Sequence, residues 1–337
     1  MQFGPSRLTP RFLAGVALLS FSAIAQAQWK PDKPITIIVP WAAGGSTDQV
    51  TRITAAEIEK ALNQKVVIVN QPGASGSIGT KSALEAPKDG YTWTAGAAKD
   101  LGTYKVMGML DTSAKDWNVY LNVAHIAVVG VNPNSPYKTM KDLLDAMKAK
   151  PGQVSVATAG VASSGHAAIE ALTRAAGVTY KHVTYDGGNP AVVATVAGET
   201  EVTTQLAAEQ TEMIRGKRLR PLAVVGDKPL EIEGYGTVPP LSQFIPGFKD
   251  PVNYFGIFVP KGVPADVTAT LDKIWAAQIG KSEALQKYAQ NRGALFAPLY
   301  GDPAQAAIAP AISAYAWTQQ AAGKAKVSPD TLGIAKP

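Results

Sequence analysis

The 337-residue sequence has no cysteine, which excludes disulfide frameworks, thiolate metal sites and cysteine nucleophiles together. Histidine is almost as scarce. His125, His166 and His182 are the only three, and neither HxH nor HExxH occurs, so no metal site is expected. No block of consecutive basic residues exists either; the densest stretch, residues 215–220, is broken by Gly216 and Leu219, and nucleic acid is not an expected partner. The phosphate loop GxxxxGK[ST] is absent as well, and no cofactor is expected. What remains is a chain that is 46% apolar and 17% charged, which folds as one large or two medium domains and is too apolar to be disordered.

The first 27 residues read as a cleaved secretory signal peptide. Arg7 and Arg11 make a cationic start, residues 12–24 are an apolar run, and Ala25-Gln26-Ala27 is an A-x-A cleavage site. The run is shorter than the ~20 apolar residues that span a bilayer, and nothing later resembles a membrane helix. With no cysteine at the junction there is no lipid anchor there. The mature chain is expected to start at Gln28, free in its compartment and monomeric. Basic residues exceed acidic ones, which favours small anionic ligands.

Strand and helix patterns then alternate, the signature of an α/β fold. Residues 35–39 form a β-branched run, 48–62 carry a helical period with Val50, Ile53, Ile58 and Ala61 on one face, and 66–69 and 91–96 are further strands. A fresh unit is expected to begin in the apolar run 124–131. Thr139 and Asp142 have capping-box spacing ahead of Met140, Leu143, Leu144 and Met147. A strand over 154–157 and a helix over 166–176 follow. Asn189 is expected to cap the next helix with Pro190 in its first turn, and 220–225 to close the unit as a strand. After the Pro- and Gly-rich segment 229–251, a strand over 254–259 precedes helices from about Asp266, Ser282 and Pro303. The simplest layout has residues 28–128 plus 252–337 as one lobe and 129–251 as the other, with a ligand cleft between them.

Three glycine-rich loops carry the candidate chemistry. In Pro40-Trp41-Ala42-Ala43-Gly44-Gly45-Ser46-Thr47-Asp48, a strand runs into a helix, so backbone N–H groups and the helix dipole favour an anion. Gly44 and Gly45 allow close approach, and Ser46 and Thr47 add hydroxyls. Asp48 is expected to strengthen the first helical turn. Trp41 either walls the pocket or packs on the core. The second loop, Asn70-Gln71-Pro72-Gly73-Ala74-Ser75-Gly76-Ser77-Ile78-Gly79, is equally donor-rich, and its spacing is neither the dinucleotide GxGxxG nor the GxSxG elbow. We take Asn70, Gly73, Ala74 and Ser75 from it.

The third loop, Thr158-Ala159-Gly160-Val161-Ala162-Ser163-Ser164-Gly165-His166, supplies Thr158, Gly160, Ser163, Ser164 and His166. Ser163 or Ser164 with His166 has the residue types of a nucleophile and base, which makes a secreted hydrolase the alternative reading, but no third residue orients the base. Ligand binding or helix capping fits better. His125 and His182, in or beside strands, are expected to be packed and hydrogen-bonded. Lys99 lies just past a strand, either neutralising an anion or exposed to solvent.

These residues resemble the extracytoplasmic solute-binding proteins of tripartite tricarboxylate transporters, the Bug family, across essentially the whole mature chain. The match rests on Ile37-Ile38-Val39-Pro40 leading to Gly44-Gly45-Ser46-Thr47-Asp48, on Asn70-Gln71-Pro72-Gly73-Ala74-Ser75-Gly76, and on Lys88-Asp89-Gly90-Tyr91-Thr92. It continues through Ser164-Gly165-His166, Gly188-Asn189-Pro190-Ala191, and Phe255-Gly256 leading to Val259-Pro260. The resemblance implies a two-lobed α/β periplasmic binding fold of the second type that closes on a small carboxylate held by backbone amides, hydroxyls and bridging water. It implies no catalysis, a periplasmic location, and docking on a large and a small integral membrane subunit. A ligand sensor for a receptor would share the fold. Two positions depart from the family pattern: Ala43 replaces the usual proline, and Gln205 stands at a commonly acidic position, where its amide can donate to a ligand carboxylate.

Overall fold

The structure, a computed structural model, describes residues 1, 2, 4 and 29–337. The apolar run 12–24 and the cleavage site Ala25-Gln26-Ala27 lie outside the described residues.

The strand–helix alternation begins at β1 (Ile35–Val39), whose Ile35, Ile37 and Val39 are fully buried. Helix α1 (Ser46–Leu62) carries the chain to β2 (Val66–Asn70), and α2 (Ser77–Glu85) carries it to β3 (Thr92–Ala97). β1 is parallel to both strands, as β-branched runs joined by helical crossovers require. α1 buries Val50, Ala55 and Ile58 against the sheet and starts two residues earlier than the sequence pattern indicates. Gly45, with an extended backbone (φ −70°, ψ 171°), takes the cap position. A short helix α3 (Ala98–Thr103) leaves the end of β3 directly.

The expected apolar run 124–131 is two strands. β4 (Trp117–His125) belongs to the first sheet, and after residues 126–127 β5 (Val128–Val131) belongs to a second. Most of β4 escapes pattern reading because Asn118 and Asn122 interrupt its apolar sequence. Asn122 is nonetheless fully buried, and its amide donates to Thr54 Oγ1 at 2.9 Å, which removes the cost of an unpaired buried amide.

In the second unit come α4 (Met140–Ala149), β6 (Ser155–Thr158), α5 (Ser164–Ala176), β7 (Lys181–Thr184), α6 (Gly188–Ala197), β8 (Val202–Thr203), α7 (Ala207–Arg215) and β9 (Arg220–Val224). The Thr139–Asp142 capping box forms reciprocally: Asp142 N donates to Thr139 Oγ1 at 3.2 Å, and Thr139 N donates to the Asp142 carboxylate at 2.9 Å. Met140, Leu143, Leu144 and Met147 are buried as the period requires. The strand order is β7-β6-β8-β5-β9.

The chain returns through the hairpin β10 (Leu230–Ile232) and β11 (Gly236–Val238) to β12 (Asn253–Pro260), which enters the first sheet antiparallel between β3 and β4. Helices α8 (Ala265–Ala277) and α9 (Glu283–Arg292), strand β13 (Ala294–Tyr300) and helix α10 (Gly301–Ala321) complete it. The first sheet therefore reads β13-β4-β12-β3-β1-β2, and the chain crosses between the sheets twice. Among the described residues no helix is long and apolar enough to cross a membrane, and no cluster of acidic residues and histidines is arranged to hold a metal ion.

Candidate functional site

Both sheets send their strand-to-helix loops into one interlobe cleft. From the first sheet come Trp41, Ala42, Gly45, Ser46 and Thr47, with Ala97 and Asp100 beside them; from the second come Ala159, Ser163, Ser164 and Gln205. The N-termini of α1 and α5 thus converge from opposite sides, and their N–H groups and dipoles favour a negative charge between them. No Lys, Arg or His lines the cleft among the described residues. An anion there is served by dipoles, amides and hydroxyls alone.

The hydroxyls are not equivalent. Ser163 Oγ accepts from His166 N at 3.2 Å and caps α5. Ser46 Oγ donates to Glu209 Oε1 at 2.9 Å, and Ser46 N reaches the same oxygen at 3.3 Å. Thr47 and Ser164 hydroxyls have no partner among the described residues, so these two are available to a ligand. Thr47→Ala and Ser164→Ala should each weaken ligand affinity by about 0.5–1.5 kcal/mol, and by more if the accepting group is ionised. Ser163→Ala should instead lower thermal stability through the lost cap, by about 1 kcal/mol. Calorimetric titration beside a melting curve on each variant separates the two effects.

Other candidates from the sequence sit behind or beside the cleft. Asn70 braces the first loop: its amide donates to Trp41 O at 3.1 Å and Asp48 Oδ1 at 2.9 Å. Asp48 accepts from Gly44 N at 2.9 Å and from Arg52 at 3.0 Å. Burial alone would raise its carboxyl, but Arg52, the Gly44 amide and Asn70 together hold it below its ordinary value. Asp48 therefore supports the first helical turn, as expected. Gly73 and Ala74 shape the second loop, where Gly73 is left-handed and Ala74 and Ser75 have φ of 44° and 54°. Ser75 meets Gly160 across the cleft. Thr158 Oγ1 lies 2.6 Å from His182 Nε2, away from the cleft. Trp41 walls the cleft and also packs over Gly76 and against the core.

His166 is buried. Its ring stacks on His182 at 4.6 Å, and its Nδ1 lies 3.3 Å from Tyr315 Oη, not beside a serine hydroxyl. Burial and the neighbouring His182 push it down to about 3, so it is neutral. The nucleophile–base pair of the hydrolase alternative is not assembled. Lys99 is neither exposed nor directed at the cleft: it is 4% exposed, donates to Asp100 at 2.6 Å and Ala162 O at 2.8 Å, and lies over the Tyr315 ring. His125 is packed but not hydrogen-bonded, both ring nitrogens being unpartnered among the described residues.

Asn189, Phe255, Asp100 and Glu209 are among the cleft residues that lie outside the three glycine-rich loops. Asn189 is not the cap of α6, a position Gly187 takes; its Nδ2 crosses to Gly44 O at 2.7 Å and joins the lobes. Asn189 and Phe255 lie in segments that carry the family resemblance, whereas Glu209 has no sequence signal because it sits inside α7. Further interlobe bonds run from Tyr315 Oη to Val161 O at 2.5 Å and from Lys324 to Glu170 at 3.0 Å. The lobes are closed. The cleft encloses about 30 Å³, room for roughly two waters, so a larger ligand needs the lobes to part. A second cavity of about 340 Å³ shares Ser164 with the cleft and is walled by residues such as Ala124, Ala168, Val224, Leu230 and Ala311. Its walls are mainly apolar, and it does not receive the paired helix N-termini.

Two α/β lobes linked by two crossings, with helix N-termini converging on the cleft, define the class of periplasmic solute-binding proteins. The solved structure described as a periplasmic transporter superposes with a TM-score of 0.76 at 29% identity, covering 87% of this chain and 97% of that one. The R. palustris protein Rpa4515 with adipate superposes with a TM-score of 0.78 at 23% identity, covering 87% and 98%. A Pseudomonas sp. (strain P51) protein, described as the UPF0065 protein in the tcbD-tcbE intergenic region, is 32% identical over 282 residues, 81% of this chain and 82% of its own. The family described as "Tripartite tricarboxylate transporter family receptor" matches residues 50–306. The chain belongs to that family and is a solute-binding receptor.

Proposed function

We propose that the protein is exported through a cleaved signal peptide ending at Ala27, captures a small carboxylate in the interlobe cleft, and delivers it as a monomer to the large and small integral subunits of its transporter. Residues 28–128 with 252–337 form one lobe and 129–251 the other, a division that the membership of the two sheets supports to within a residue, since Val128 already opens β5 of the second sheet. The observation that carries the reading is the convergence of the α1 and α5 N-termini on a cleft where, among the described residues, the Thr47 and Ser164 hydroxyls have no partner and no cation is present. Such a site holds a carboxylate by amides, hydroxyls and water, and asks for no covalent step. The adipate bound to the R. palustris neighbour is in keeping with this.

Closure follows only if the ligand binds the closed form better than the open one. Loops from both lobes supply that difference. Charge-assisted hydrogen bonds contribute about 1.5–3 kcal/mol each, so three or four support the ~8 kcal/mol of a micromolar complex after ordering costs. A thermal screen of mono-, di- and tricarboxylates tests the reading. A carboxylate at a hundred times its dissociation constant should stabilise the mature protein by about 2.7 kcal/mol, a melting shift of several degrees. Shifts with sugars or simple amines and none with carboxylates would overturn it.

A further inference from the structure

The anion position at the N-terminus of α1 is already taken by the chain itself. Glu209, on α7 of the other lobe, reaches across so that Oε1 accepts from Ser46 N and Ser46 Oγ, while Oε2 accepts from Leu206 N at 3.3 Å. Gln205 completes the set once its amide is assigned in the orientation that satisfies both of its atoms, the nitrogen donating to Glu209 Oε2 at 3.1 Å and the oxygen accepting from Ala159 N at 2.8 Å. The amide that family resemblance offers to a ligand carboxylate is thus directed at Glu209. Gly188 is part of the same arrangement, since a Cβ there would stand 2.1 Å from the Glu209 carboxylate.

Burial pushes the Glu209 carboxyl above its ordinary value, opposed by the donor bonds from Ser46 Oγ, Ser46 N and Leu206 N, and those donors are the groups that favour its ionised form. Among the described residues no basic side chain lines the cleft to offset it, and Asp100, the other acid there, is balanced by Lys99 behind the wall. A ligand with a carboxylate at each end would place one beside Glu209 with no cation between them, where like charges repel strongly in a low-dielectric cleft. The α5 side, with Ser164 and the facing Thr47, has no such occupant.

We infer that Glu209 determines specificity: the ligand carries one carboxylate, held at Thr47 and Ser164, and an N–H donor, ammonium or amide, that faces Glu209 in place of a second carboxylate. This rests on the small-carboxylate reading above and narrows it. Glu209 both helps to hold the lobes together and selects what lies between them.

The test is calorimetric titration of the mature protein with succinate, glutarate and adipate, each beside its monoamide and the amino acid bearing an ammonium in place of one carboxylate. In at least one set the N–H-bearing member should bind about tenfold or more tighter than the dicarboxylate. Comparing the monoamide with the amino acid then shows which donor is preferred. Glu209→Gln should erase or reverse the ratio. Equal or tighter binding of the dicarboxylate by the wild-type protein overturns the inference while leaving the carboxylate reading intact, and this result needs no variant to fold. An unchanged ratio in a folded Glu209→Gln protein also overturns it. Binding of no member in any set defeats the carboxylate reading and the inference together.

Discussion

His125→Phe is expected to stabilise the protein, by an amount that grows as the pH falls. The ring of His125 is 3% exposed, packed edge-on against Phe255 at 4.5 Å and Tyr288 at 6.0 Å, and among the described residues neither nitrogen has a hydrogen-bond partner. An unsatisfied buried polar group costs about 1–3 kcal/mol, which phenylalanine removes while keeping the aromatic contacts. Burial pushes the imidazole from its ordinary 6.5 down to about 3. Between those values the unfolded chain binds a proton that the folded chain refuses. The contribution of His125 to stability is therefore full above about 6.5 and is lost as the pH falls toward 3. The variant lacks this loss, so its advantage should widen by about 1.4 kcal/mol per pH unit through that window. His166, His182, Asp100, Glu209 and Asp250 titrate in both proteins and cancel in the difference. Urea denaturation at neutral and mildly acidic pH reads the gap directly. A gap that does not change with pH, or a less stable variant, would show that the ring is solvated or paired.

Gly160→Ala is expected to weaken ligand binding by about five- to 150-fold, through the closed form. A Cβ at Gly160 would lie 2.3 Å from Ser75 Oγ and 3.3 Å from Ser75 Cβ, across the cleft on the opposing loop. Overpacking of this kind costs about 1–3 kcal/mol, and 1.4 kcal/mol is tenfold in affinity. The backbone of Gly160 is itself left-handed, with φ 117°, so alanine also strains the loop in both open and closed forms. A second substitution separates the two effects. Ser75 has φ 54°, a conformation glycine adopts without cost, so Ser75→Gly in the Gly160→Ala background should restore most of the lost affinity while leaving the loop strain in place. Titration of both variants with the carboxylate found by thermal screening decides it. Equal affinity for Gly160→Ala and wild type, or no recovery in the double variant, would mean the loops do not close on one another.

The sequence is most informative where chemistry is local. Thr139 and Asp142 announce α4 because a capping box is built from two side chains and two amides within one turn. The glycine loops at 40–48 and 158–166 identify strand-to-helix junctions because they need close backbone approach and helix-end donors, and these lead to Ser46, Thr47, Ser163 and Ser164. What stays hidden depends on distant partners. β4 reads poorly because the burial of Asn122 depends on Thr54, 68 residues away. Lys99 turns inward because Asp100, Ala162 O and Tyr315 come together only in the closed fold. Glu209 looks like an ordinary first-turn acid of α7, and only the approach of Ser46 from the other lobe, 163 residues away in sequence, gives it a role. Strand order across the two crossings likewise has no local signal.

The central claim, that the cleft captures a small carboxylate, is tested most directly by native mass spectrometry of the mature protein purified from its host under gentle conditions. A retained mass corresponding to a small carboxylic acid, lost from Gly160→Ala and reduced in Ser164→Ala, is the result the account predicts. A sugar, nucleotide or metal complex retained by the wild-type protein and lost from the same variants would contradict it.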